Sequence, residues 1–246
     1  MIFDTPDRPA SNKSGRWLAW WFACALVACG GGGGDDPATA VDAVPPAPAP
    51  APGPAPAPAP AADPAPPPVE APLPALAAPV SLEGDPPIGV DRWPDGATTT
   101  GGLGQPVQGL SCGGDDLRFH VHTHLSIILN GQAQAIPPNV GIVRTATLDC
   151  KYRIHTHDRS GKLHIEGPAP ALRTLGEFFA IWGRPLSRDN VADLTGMPID
   201  FFVTDNGVVT RYHGDPAEIV LASHRHIAIQ VGSPVAELPQ FTWSGE

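Results

Sequence analysis

The chain has 246 residues, only 16% of them charged, and a formal net charge of −10. An acidic chain without a Lys/Arg cluster is a poor partner for nucleic acid, so nucleic-acid binding is excluded from the leading hypotheses. The 32 prolines and 27 glycines exceed average usage, and most of the proline precedes position 95. Apolar residues concentrate after position 115, which leaves about 130 residues for one compact domain.

The N-terminal segment has the features of a secretory signal. A basic flank with Lys13 and Arg16 precedes an apolar run at 17–28, which is short for a membrane span. The run ends in Leu26-Val27-Ala28-Cys29, which resembles the lipobox of bacterial lipoproteins. This resemblance implies cleavage before Cys29, lipid on that cysteine and anchoring in the cell envelope. An ordinary signal peptide with an incidental cysteine is the alternative.

The segment after Cys29 has the composition of a tether. Residues 30–34 are glycine, and Pro45–Pro68 is an almost regular alternation of Ala and Pro. Such a tract buries too little apolar surface to fold, and proline favours polyproline II. In a Gram-negative source, Gly30 in place of Asp would imply sorting to the outer membrane, with the domain in the periplasm. We therefore predict a signal peptide at 1–28, a lipid-anchored disordered linker at 29–109 and a globular domain at 110–246.

The globular domain opens with an alternation of histidine and apolar residues that predicts a strand at 117–129. Successive side chains of a strand point to opposite faces, so the alternating histidines share one face. These histidines are His120, His122 and His124. Asn130-Gly131 then predicts a tight hairpin with a return strand at 132–136.

A second hairpin is predicted around residues 158–161, with arms at 151–157 and 162–166. The aliphatic alternation of both arms favours the register in which His155 lies opposite His164. A slip by one residue would move His164 to the other face. In the favoured register, one face carries His155, His157, His164 and Glu166.

The remaining elements complete a small α+β domain. A capping box from Thr174 to Glu177 predicts a helix that ends before Pro185, and Ser187 predicts a second short helix to Leu194. Further strands are predicted at 198–204, 208–212 and 224–231. The predicted fold is a mostly antiparallel sheet with one or two short helices, β-grasp-like, and a small β-sandwich is the alternative.

Two cysteines remain after the signal peptide and the lipid site are set aside. They are Cys112 and Cys150. In an oxidising envelope such a pair most often forms a disulfide. The alternative makes one of them a thiolate metal ligand beside histidine.

Clustering of histidine predicts a metal site. Zn and Cu(II) are bound by neutral imidazole, with three or four ligands at about 2.0–2.1 Å. The predicted ligands are His120, His122, His124, His155, His157 and His164. Asp158 and Glu166 are predicted to ligate the ion or to orient an imidazole. His213, His224 and His226 are weaker candidates.

Longer motifs around these histidines resemble a group of bacterial proteins. The motifs are His-x-His-x-His-Leu at 120–125, His-Thr-His-Asp-x-x-Gly-x-x-His-x-Glu at 155–166, and Thr-Leu-Gly-x-Phe-Phe-x-x-Trp-Gly at 174–183. They resemble uncharacterised bacterial envelope proteins. The resemblance implies a secreted or anchored domain and brings no established activity.

Three functions are compatible with the sequence. The leading hypothesis is an envelope protein, tethered to the membrane by lipid, that buffers, delivers or senses a divalent transition metal. The second is a metalloenzyme with three histidine ligands, an open position for water and Glu166 or Asp158 as general base. The third is a structural or adhesive module whose histidines are surface polar residues. The sequence favours binding over catalysis and does not identify a protein partner.

Overall fold

The protein is described by a computed structural model that covers residues 70–96, 101–114 and 118–243, with Pro48 and Gly53. The chain divides into two units, Met1–Pro64 and Ala65–Glu246, and the described strands and helix all lie in the second. The predicted signal peptide, Cys29 and most of the predicted linker before Glu70 lie outside the described residues. In the described part of the chain, no helix combines the length and apolar character needed to cross a membrane.

The described chain is mainly β-strand with one short α-helix. In chain order the elements are β1 Ala75–Ser81, β2 Val90–Asp91, β3 Phe119–Leu129, β4 Gln132–Ala135, β5 Ile142–Arg144, β6 Asp149–Lys151, β7 Ile154–His155, β8 Lys162–Gly167, α1 Leu175–Trp182, β9 Asn190–Val191, β10 Leu194–Thr195, β11 Ile199–Asp205, β12 Val208–Arg211, a 3-10 turn Pro216–Glu218, β13 His226–Val231 and β14 Glu237–Thr242.

Eight of these strands form one mixed sheet. Its order is β12-β11-β13-β3-β4-β2, and β8 pairs with both β3 and β7. Strand β3 is antiparallel to β4 and β8 but parallel to β13, so parallel and antiparallel pairs share the centre of the sheet. In the described residues the protein is therefore a strand-rich fold with one α-helix, which is consistent with the predicted α+β fold and with the sandwich alternative, and its large sheet is mixed.

The two faces of the sheet are covered by different elements. One face packs against α1, whose Phe178 and Trp182 are fully buried among the aliphatic residues of β3, β8 and β13. Burial of one such side chain stabilises the fold by roughly 1.5–3 kcal/mol. On the other face a smaller cluster includes Leu238 of β14, which pairs in parallel with β1. The β1–β14 ribbon thus covers part of the second face.

The predicted capping box is present at the start of α1. The Thr174 hydroxyl accepts a hydrogen bond from the Glu177 backbone N–H at 3.3 Å, and the Glu177 carboxylate accepts one from the Thr174 N–H at 2.9 Å. Gly183, at φ 71°, ends the helix in the left-handed conformation. These two ends fix the one α-helix that the described chain contains.

The second predicted helix, Ser187 to Leu194, is wrong. This segment forms the hairpin β9–β10, with positive φ at Ala192 and Asp193. The Ser187 hydroxyl accepts from the Asn190 N–H at 3.1 Å, and the Asn190 side chain accepts from the Asp193 N–H at 3.1 Å. Short polar side chains that bond the nearby backbone in this way favour turns over helix.

Two strands, β1 and β2, come from the segment for which the sequence predicted a disordered linker. β1 pairs with β14 in a sheet of two strands, and the register shifts between Leu76 and Pro79. Proline lacks an N–H donor and is tolerated where a strand has an unpaired side. The folded unit therefore includes residues well before position 110. The proline-rich composition of this segment did not predict strand β1, which itself contains Pro79.

Cys112 and Cys150 form the predicted disulfide, with their Cα atoms 5.5 Å apart. The bond joins the segment before β3 to β6, and neither sulfur is then available as a thiolate ligand. Closing a loop of this length contributes roughly 3–4 kcal/mol by the loop-entropy estimate.

Candidate metal centre

Three neighbouring strands bring three histidines into a row. Strand β8 lies between β3 and β7, and His164 of β8 is opposite both His122 of β3 and His155 of β7. The register predicted for the second hairpin is therefore confirmed. The ring centroid of His164 is 4.3 Å from that of His122 and 5.4 Å from that of His155, which is close to the spacing between strands.

The row exists because the aliphatic residues of β8 point the other way. Leu163 and Ile165 join the main core, so the alternate side chains His164 and Glu166 face away from it. The loop before β8 is held by a hydrogen bond from the Leu125 N–H to the Gly161 carbonyl at 2.9 Å. These contacts place the polar side chains of β3 and β8 side by side.

Three imidazoles converge between β3 and β8, and we call them set A: His120, His122 and His164. The His164 Nδ1 lies 2.8 Å from the His122 Nε2 and 3.2 Å from the His120 Nε2. His122 is buried, whereas His120 retains 35% side-chain exposure. Set A is thus a trio of imidazoles that runs from the buried His122 to the exposed His120, with His164 half-buried.

A second group lies between β8 and β7, and we call it set B: His155, His157, His164 and Glu166. The Nε2 atoms of His155 and His157 are 3.2 Å apart, and the His155 Nε2 is 3.5 Å from the Glu166 Oε1. His155 and Glu166 are buried, and His157 is exposed. Set B therefore combines imidazole nitrogens with one carboxylate.

The tautomer of His155 follows from its hydrogen bond. Its Nδ1 lies 2.9 Å from the Tyr152 carbonyl oxygen, which only accepts, so the Nδ1 carries the proton. The lone pair of its Nε2 then faces the Glu166 carboxylate. Two acceptors this close favour a cation between them. A ligating histidine that donates its other N–H to a backbone carbonyl is the usual arrangement in metal sites.

Desolvation favours the neutral form of His155, His157 and His164. It lowers the pKa of His155 from 6.5 to about 3, and it lowers the pKa of His164, with a further contribution from the neighbouring His122. Although His157 is exposed, its ring is partly desolvated, which lowers its pKa, and the Lys151 ammonium lowers it further. Neutral imidazole is the form that binds a metal ion, so protons compete weakly at these positions.

The spacing of the ligand atoms fits a tetrahedral ion. Ligands at about 2.0–2.1 Å from a tetrahedral centre are separated by about 3.3 Å. Four of the separations within the two sets are 2.8 to 3.5 Å, and all ligand atoms of each set lie within 4.8 Å of one another. The imidazole and carboxylate donors suit either Zn or Cu(II).

His124 and Asp158 were predicted at this site and belong to neither set. The His124 Nε2 donates to the Ser160 carbonyl at 2.8 Å, and its ring stacks on Phe241 at 3.8 Å between centroids. At this point of β3 the neighbour on β8 is Lys162, not a histidine or a carboxylate. Asp158 instead accepts from the Ser160 N–H at 2.7 Å and closes the turn before β8.

Sequence reasoning missed Lys151 and the aromatic residues around the site, and named His226 only as a weaker candidate ligand. Lys151 places its ammonium 3.8 Å from the second oxygen of Glu166. His226 lies beside His124, and Trp243 stacks 6.3 Å from His122. The alternation of Phe241 and Trp243 in the sequence after β13 predicts that both side chains lie on one face of a strand. It does not predict that this face contacts the histidines of β3.

The fold and the site together define a strand-rich domain with a histidine-rich candidate metal centre. Comparison with protein-family models, with curated proteins and with solved structures gives no match to this chain.

Proposed function

We propose that the chain is a lipid-anchored protein of the cell envelope that binds a divalent transition metal, Zn or Cu(II), through sets A and B. The convergence of the ligand atoms carries this proposal, since within each set they lie within 4.8 Å of one another. The lipobox at Cys29 and the alternating Ala-Pro tract support a tethered domain. The membrane, reached through this lipid, and the metal are its proposed partners.

Two observations favour metal binding over a purely structural or adhesive role. His155 and Glu166 are buried polar side chains, and besides the Tyr152 carbonyl and the Lys151 ammonium, a bound cation would compensate the cost of burying them. The Nε2 lone pair of His155 and the Glu166 oxygen face each other, and a cation satisfies both. Surface histidines of an adhesive module would not need this burial.

One observation favours binding over catalysis. Glu166 belongs to set B as a ligand, so it is not free to act as the general base that a metalloenzyme would need. Asp158, the other predicted base, is engaged in its turn with Ser160. The exposed His120 and His157 suit exchange of the ion with solvent or a carrier, as buffering, delivery or sensing requires.

The strand order supports a β-grasp variant as the proposed architecture. Strands β3 and β13 form a parallel pair at the centre of the sheet. Strand β4, the hairpin partner of β3, lies on one side of this pair, and the hairpin β11–β12 lies on the other. Helix α1 lies between the two hairpins in the chain and packs on one face of the sheet. The pair β7–β8 is an addition that brings set B beside set A.

Metal analysis of the full chain, purified without a polyhistidine tag, tests the proposed function. We expect tight binding of Zn or Cu(II) and, for His155→Ala, an affinity lower by more than about tenfold. His213→Ala is the matched control, because His213 is exposed and pairs with Glu70 away from both sets. A wild-type chain that takes up neither ion, or an affinity unchanged in His155→Ala, would contradict the proposal.

A further inference from the structure

His164 belongs to both candidate ligand sets. Its position explains this, because β8 lies between β3 and β7 and the residue has a histidine opposite it on each side. The rings of His122 and His157 both meet the His164 ring nearly at right angles, at 87° and 82°. His164 is thus the middle member of a row that crosses three strands.

The width of this row argues against a single ion. An ion with ligands at about 2.0–2.1 Å holds nitrogens at most about 4 Å apart. The histidines form two separate groups whose ligand atoms lie within 4.8 Å of one another, and His164 is the member that the two groups share. A single ion bound by set A would therefore not occupy set B. A single ion bound by set B would likewise not occupy set A.

We propose that the two sets hold two divalent ions and that the His164 imidazole bridges them. This inference rests on the proposed function and adds its stoichiometry and its chemical form. The His164 Nδ1 already faces His120 and His122, so it ligates the ion of set A. The Nε2 is then the nitrogen that ligates the ion held by His155, His157 and Glu166.

The bridge has a defined proton balance. Neutral imidazole carries one N–H proton and one lone pair, so it can ligate one ion as it stands. Binding of the second ion requires both ring nitrogens to donate lone pairs, and the N–H proton is released to water. The resulting imidazolate and the Glu166 carboxylate offset two of the four positive charges of the ion pair.

Glu166 supports the ion pair from the same face. Its Oε1 is 3.5 Å from the Nε2 of His155 in set B and 3.7 Å from the Nε2 of His120 in set A. One buried carboxylate oxygen is thus near a ligand nitrogen of each ion. Negative charge at this position lowers the repulsion between two cations that share an imidazole.

The stoichiometry of Cu(II) in the full chain tests the proposal. We expect two ions per chain in the wild type and in the His213→Ala control, and one ion in each of the single variants His122→Ala and His157→Ala. One ion in the wild type, lost in both single variants, would overturn the bridge while leaving the proposed function intact. No uptake by the wild type would contradict both.

Electron paramagnetic resonance separates a bridged pair from two independent sites. An imidazolate couples the two Cu(II) spins, so we expect the integrated signal of the doubly loaded wild type at low temperature to fall well below two spins per chain. His157→Ala, loaded with one ion, should give the full signal of its single copper. Two ions with two full, uncoupled spins would overturn the assignment of His164 as the bridge.

Discussion

At the scale of single residues, backbone carbonyls fix the tautomers of two histidines, one in set B and one outside both sets. The Tyr152 carbonyl holds the proton of His155 on Nδ1 and frees Nε2 for the site, whereas the Ser160 carbonyl uses the Nε2 of His124. The two histidines thus carry their protons on opposite ring nitrogens. Which carbonyl lies near each ring is a property of the folded chain.

Buried histidines away from the site make stability depend on pH. Burial lowers the pKa of His226 from 6.5 to about 4. Between these values the unfolded chain binds a proton that the folded chain does not, so stability falls as the pH falls and levels off below about 4. The group accounts for about 3 kcal/mol of this loss, at 1.36 kcal/mol per pKa unit.

The variant His226→Gln tests this dependence on pH. Glutamine keeps a polar atom near the Ser126 hydroxyl, which lies 3.1 Å from the His226 Nε2, and it does not titrate. We expect the metal-free variant to lose about 3 kcal/mol less free energy of unfolding than the wild type between pH 6.5 and 4. Urea denaturation at several pH values measures this, and equal losses in both proteins would contradict it.

Lys151 opposes the metal through its charge. Its ammonium is 3.8 Å from the Glu166 Oε2, and a second cation at the carboxylate is repelled by it. We expect Lys151→Gln to raise the affinity for Zn by about tenfold at low salt, and the gain to shrink as salt screens the charge. Competition with a fluorescent chelator measures the affinity. A lower affinity would indicate that the lysine only supports the local fold.

At the scale of elements, Gly161 sets the contact between β8 and β3. Its φ is 83°, and an added Cβ would meet the Leu125 carbonyl oxygen at 2.5 Å. Gly131, in the β3–β4 hairpin, has nearly the same φ of 84° and open space around it. Alanine substitutions at Gly131 and Gly161 therefore distinguish the cost of a positive φ from the cost of a steric clash with β3.

We expect Gly131→Ala to cost about 1–2 kcal/mol of stability and to leave metal affinity unchanged. Gly161→Ala should cost clearly more and weaken metal binding as well, because it displaces β8 and hence His164 and Glu166. Thermal unfolding and metal titration of both variants make the comparison. Equal effects would mean that the approach of Gly161 to β3 does not position the site.

Local patterns predicted those parts of the fold that local interactions decide. Asn130-Gly131 forms the predicted tight turn, with positive φ at both residues, and the capping box starts α1. The alternation in β8 also placed His164 opposite His155. The prediction of a helix after Ser187 was wrong because the same short polar side chains that can cap a helix can also stabilise a turn.

Contacts between distant segments could not be predicted in this way. Strand β14 finds its partner β1 more than 150 residues earlier, and β3 pairs with β13 about 100 residues later. No turn signal links such strands, and their pairing depends on the packing of the whole molecule. The pairing of β3 with β8, which forms set A and leaves His124 opposite Lys162, is also a contact between distant segments, whereas set B lies in the local hairpin β7–β8.

At the scale of the whole molecule, the proposed anchor determines where the metal is handled. The lipobox resemblance assigns the lipid to Cys29. We expect Cys29→Ala to abolish incorporation of labelled palmitate and to move the protein out of the membrane fraction, while the metal content of the purified chain stays the same. Incorporation of label into this variant would contradict the assignment of Cys29 as the anchored residue.

The proposed metal centre requires imidazoles from adjacent strands to share bound ions. X-ray absorption at the zinc edge, recorded on the zinc-loaded full chain, tests this most directly. We predict three or four nitrogen and oxygen neighbours at about 2.0–2.1 Å, with the outer-shell scattering of several imidazole rings. A spectrum of six oxygen neighbours without imidazole scattering would contradict the proposed centre.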